Sequence, residues 1–166
     1  MKISTRRLTA LALGVSLAMI LSFVESQIPP LAAVPGVKIG LSNIVTVVLL
    51  YILGWREAVC VSLVRVCLSA LLFGNAVAFI YSMSGAALSL LVMIVAKKLL
   101  PFSAVGVSVL GGVMHNVGQV CAAIIVMESA GIAVYIAPLL VSGTVAGVAV
   151  GIAAGIISLR TAKYIK

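Results

Sequence analysis

The chain has 166 residues, 64% of them hydrophobic and only 8% charged, with a mean hydropathy of +1.37 and a formal net charge of +8. Soluble domains carry about 25% charged residues, so this composition excludes one and points to a single integral membrane domain over residues 1–166. The basic residues punctuate apolar runs and form no patch interleaved with aromatics, which argues against nucleic acid and for membrane topology.

The first run, 8–24, follows the basic head "MKISTRR". It exceeds the usual apolar core of a signal peptide, about 7–15 residues, and no small-x-small cleavage site follows closely, so a retained helix is expected. Five further runs cover 37–53, 58–72, 76–96, 103–127 and 131–159. The second and third are short for a bilayer, and the last is long enough to tilt or break. The expectation is an all-α membrane protein of six transmembrane helices. With the N-terminus inside, nine of the eleven basic residues fall on the cytoplasmic side, leaving Lys38 outside and Arg65 within a span. Both termini are then cytoplasmic.

"ESQIPPLAAVPGVKIGLSN", from Glu25 to Asn43, becomes the first external loop. Its three prolines enforce an extended or turning path. Irregular backbone is tolerated near a membrane where it lines a cavity, which suits a lid over an outward-facing pocket. An ordinary surface connector has the same composition.

Polar residues inside apolar runs are the candidate site. Arg65 lies eight residues beyond Glu57, roughly 12 Å along a helix. A charge at that depth faces the bundle or a wet cavity, or forms a structural ion pair, with Glu25 as the candidate partner. "GGVMHNVGQV" places His115, Asn116 and Gln119 mid-span, as ligand contacts or as interhelical hydrogen bonds. Tyr81, Ser82 and Asn43 fall at the same outer depth. Lys38 opens the second run, where a cation and a helix N-terminus would favour a carboxylate or phosphate, unless it is a solvated loop charge.

Small residues recur every fourth position at Ala10, Gly14 and Ala18 and at Gly143, Gly147, Gly151 and Gly155. Both stripes permit close helix contacts. The first suits internal packing and a partner's docking face equally, whereas the second suits internal packing.

Cys60, Cys67 and Cys121 lie in apolar runs without metal-ligand spacing, and His115 has no second ligand near it in sequence, so no metal site is expected. The chain has no aspartate, no G-x-x-x-x-G-K-[ST] loop and no nucleophile-histidine-acid set. The expectation is a binding protein that is not an enzyme and carries no cofactor.

Four stretches, "ESQIPPLAAVPGVKIGLSNIVTVVLL", "REAVCVSLVRVCLSALLFG", "FIYSMSGAALSLLVM" and "FSAVGVSVLGGVMHNVGQ", together resemble the bacterial Gx transporter family, often labelled heptaprenyl diphosphate synthase component I. That family is grouped with the S components of energy-coupling factor vitamin importers. The resemblance implies an S-component-like bundle whose first external loop caps a small-molecule substrate. It implies Ala10, Gly14 and Ala18 as the docking stripe, although glycine at its centre departs from an all-alanine pattern. It also implies as partners a transmembrane coupling subunit and two cytoplasmic ATPases. The synthase label implies a competing role, an accessory subunit of prenyl diphosphate synthesis. Prenyl synthases resemble one another in two aspartate-rich magnesium motifs, which this chain lacks.

Overall fold

The computed structural model describes residues 5–27 and 40–165, the last three of these by backbone alone. Six α-helices follow one another: α1 Thr5–Gln27, α2 Asn43–Ile52, α3 Trp55–Phe73, α4 Ala76–Leu99, α5 Ala104–Met127 and α6 Ile136–Ile165. A 3-10 segment, Ala130–Tyr135, leads into α6. The described residues contain no strand.

Local chemistry sets the breaks. Gly54, at φ +121, turns the chain between α2 and α3, a conformation that costs a residue with a Cβ. Asn75 caps α4 by accepting from the Ala78 N–H at 2.8 Å. Pro101 follows the end of α4, and Ser103 caps α5 through the Gly106 N–H. Glu128, left-handed at φ 49, ends α5. Pro138 lies in the first turn of α6, where its missing N–H costs nothing.

Six helices appear in the expected order, but they are not six equivalent spans. Four are long and apolar enough to cross a membrane by length and composition: α1, α4, α5 and the last helix with its 3-10 lead-in. The second run is shorter than expected, because Gly40 at φ +74 and a turn at Leu41 and Ser42 delay the helix until Asn43. Ten residues extend about 15 Å, half a hydrocarbon core. α3 has the length but carries Arg56, Glu57 and Arg65. The long sixth run breaks, as expected, at the change from 3-10 to α-helix.

α2 is the most enclosed element, with Val45, Thr46, Val47, Leu49 and Leu50 all buried. α5 lies between α4 and α6 at backbone contact distance. A Cβ at Gly112 would stand 2.6 Å from the Gly143 carbonyl oxygen, and one at Gly118 2.7 Å from that of Ser84. The stripe on α6 is therefore internal packing: Cβ atoms at Gly147 and Gly151 would each lie 2.6 Å from α5, at the Cα of Val109 and Val105.

One end of the bundle gathers the cations. Arg7 pairs with the buried Glu57 carboxylate, joining the starts of α1 and α3. Lys97 donates to the Leu50 carbonyl and sits 4.7 Å from the Tyr51 ring centroid. Arg56 and Lys98 flank the Trp55 ring at 5.3 and 5.2 Å. α6 runs past Ala104 toward this same end, so Arg160 joins the group. Arg65 lies ten residues along α3 from Trp55, about 15 Å from that end.

Candidate functional site

A cavity of about 200 Å³ occupies the middle of the bundle, bounded by all six helices. Helical periodicity selects its walls. On α4 the lining positions Ala78, Ser82, Ser89 and Met93 repeat along one face. On α5 they are Ser108, Gly111, Gly112, His115 and Asn116. Gly143, Gly147 and Val150 of α6 close the far side, and the start of α2 contributes Ser42 and Asn43. Arg65 and Ser69 enter from α3, and Ser22, Glu25 and Ser26 from α1.

The polar contacts define what is already committed. Glu25 accepts a hydrogen bond from the Gly40 N–H, tying the end of α1 to the start of the α2 turn. Asn116 Nδ2 donates to the Leu139 carbonyl at 2.6 Å, joining α5 to the first turn of α6. Arg65 differs: its Nε is enclosed and has no hydrogen-bond partner among the described residues. Ser22 Oγ, on the neighbouring helix α1, is in the same condition. No three His, Cys, Asp or Glu side chains gather among the described residues in a way that could hold a metal.

The sequence model of one protein family, described as heptaprenyl diphosphate synthase component I, matches residues 15–157. The chain belongs to that family. The match takes in every lining residue of the cavity, from Ser22 to Val150. No curated protein and no solved structure matches the chain. The family resemblance carried by the four quoted stretches is thereby borne out for the heptaprenyl diphosphate synthase component I label.

In this chain the structure brings together Glu25, Asn43, Arg65, Ser82, His115 and Asn116 around one space. Tyr81 does not line it, since one residue along α4 is about 100° around the helix from Ser82. Gln119 lies one turn beyond His115 and packs on Gly85, where a Cβ would meet its Cγ at 2.9 Å. Lys38 lies outside the described residues.

Sequence reasoning missed the hydroxyls of Ser22, Ser69, Ser89 and Ser108 and the glycines of α5 and α6 that line the cavity. Serine and glycine are ordinary in apolar helices, so neither stands out. Alignment with Arg65 in depth was the available signal for Ser89, buried near the middle of α4, whereas Ser108, buried near the start of α5, offered none.

The stripe on α1 faces inward in this chain. Gly14 and Ala18 are buried, and a Cβ at Gly14 would lie 3.1 Å from Leu49 Cδ1 and 3.8 Å from Val45 Cγ1. Gly14→Leu is accordingly expected to push α1 off α2 and lower stability by about 1–3 kcal/mol. Thermal unfolding in detergent reads this; unchanged stability would contradict the close contact of Gly14 with α2.

Proposed function

We propose that the chain is the substrate-binding S component of an energy-coupling factor type importer in the bacterial cytoplasmic membrane. It captures a small nutrient from outside and is not itself an enzyme. The observation that carries this reading is the mid-bundle cavity, into whose apolar wall the sequence sets Arg65, Glu25, His115 and Asn116, with Arg65 Nε lacking a hydrogen-bond partner among the described residues. A bundle built only to hold helices together would fill that volume with apolar side chains.

The gathering of Arg7, Arg56, Lys97 and Lys98 at one end supports an orientation with both termini cytoplasmic. Glu25, at the other end of α1, then opens toward the outside, where the nutrient is captured. Movement across the membrane draws on a transmembrane coupling subunit and two cytoplasmic ATPases, because the sequence has no phosphate-binding loop.

The family's description favours a second reading, a membrane accessory subunit of heptaprenyl diphosphate synthesis. Purification from native membranes in mild detergent, followed by mass spectrometry of what accompanies the chain, separates the two. The importer reading expects the coupling subunit and ATPases in stoichiometric amounts. An aspartate-rich prenyl synthase in their place would sink it.

A further inference from the structure

Among the described residues, three enclosed side-chain polar atoms lack a hydrogen-bond partner: Arg65 Nε, Ser22 Oγ and Ser158 Oγ. Two of these residues, Arg65 and Ser22, line the cavity. An enclosed guanidinium N–H without an acceptor is costly, more so than an unpaired hydroxyl. The hydroxyls of Ser69, Ser82, Ser89 and Ser108 share the space, yet none of them accepts from Arg65 Nε. Among the described residues nothing accepts from that donor, and the Arg65 side chain lines the cavity. The start of α2 contributes Ser42 and Asn43 to the same space, but its first N–H groups are taken by the Gly40 and Leu41 carbonyls, so Arg65 carries the preference for an anion.

The charge of that anion is limited by Glu25, which lines the cavity and faces Arg65 electrostatically. One positive and one negative side chain balance each other. A ligand bearing a single negative charge and a donor group satisfies both, whereas a diphosphate brings several charges against the Glu25 carboxylate. A planar carboxylate also matches the guanidinium fork in two parallel hydrogen bonds. Size points the same way, because the cavity of about 200 Å³ is below the roughly 300–1,000 Å³ of drug-sized sites.

Resting on the reading of this cavity as a substrate site, we propose that its ligand is a small carboxylic acid, with the carboxylate on Arg65 and an amino or hydroxyl donor toward Glu25, and that diphosphates are excluded.

The test is thermal unfolding of the full chain in detergent with lactate, β-alanine, glycine and 4-hydroxybutyrate, each beside its amide, and with inorganic phosphate and diphosphate. At least one acid is expected to raise the midpoint, its amide requiring about ten-fold more or failing altogether. Arg65→Gln should erase the difference between acid and amide, and Arg65→Lys should retain part of it. No effect from any acid, equal effects of acid and amide, or a larger effect of diphosphate would each overturn the proposal. Should Arg65→Gln not fold, the acid-to-amide ratio on the unaltered chain decides alone. Failure here leaves the co-purifying ATPases untouched as support for the importer, and their absence beside acid-selective binding would remove the importer while keeping the ligand class.

Discussion

Gly147→Leu is expected to leave no monodisperse folded protein on size exclusion of the detergent extract. A Cβ at this position alone would stand 2.6 Å from Val109 Cα and 3.0 Å from the Ser108 carbonyl oxygen, both backbone atoms of α5. Backbone cannot rotate aside as a side chain can, so the whole of α6 must move away. Overpacking of a core by added methylenes costs about 1–3 kcal/mol where neighbours can adjust, and more where they cannot. That movement would also strip Asn116 from the Leu139 carbonyl. The same stripe supplies its own control. At Gly155 the nearest contact for a Cβ is the Ala104 Cβ at 3.7 Å, an ordinary van der Waals distance. Gly155→Ala should therefore preserve the folded peak. Equal behaviour of the two variants would contradict the close approach of α5 and α6.

Arg65→Met should remove acid-selective binding and also destabilise the ligand-free protein. Glu25 is the opposite charge that Arg65 faces, and taking away one partner of a buried pair costs up to about 3–5 kcal/mol, less where the remaining charge is only partly buried, as Glu25 is. For a domain of this size each kcal/mol shifts Tm by roughly 2–4 °C. Replacing both charges, Arg65→Met with Glu25→Gln, leaves no carboxylate without its cation, so the double variant should recover part of the lost Tm. An unchanged Tm in the single variant would show that the two charges do not support each other, and the cavity would lose the pairing that limits the charge of its ligand.

The helix order was legible because each apolar run ends where charged, proline or capping residues begin. The run 103–127 became α5 almost residue for residue, bounded by Ser103 and Glu128. α2 was not legible in the same way. "VKIGLSNIV" remains apolar through the turn, and hydropathy carries no signal for the positive φ of Gly40. Arg65, His115 and Asn116 were legible as cavity-lining residues because charge and amide groups in an apolar helix face the interior. Tyr81 obeyed the same rule, yet its register on α4 took it away from the cavity, while Gln119 shares the face of His115 but sits one turn further along and packs on Gly85. Hydropathy places a residue in depth, while its angle about the helix axis depends on which neighbours approach. For α5 those approaches are set by glycines, whose lack of side chain leaves no mark in a hydropathy profile.

The glycine contacts also distribute stiffness. α4, α5 and α6 meet backbone to backbone at Gly118, Gly112 and Gly147, with no side chains between them to rearrange, so these three helices deform as one plate. α1 rests mainly on α3 and more lightly on α2, and its outward residues Leu13, Leu17 and Ile20 are exposed. The wall that carries Ser22 and Glu25 is thus the compliant one, and the cavity adjusts its volume from that side while the opposite wall keeps its shape.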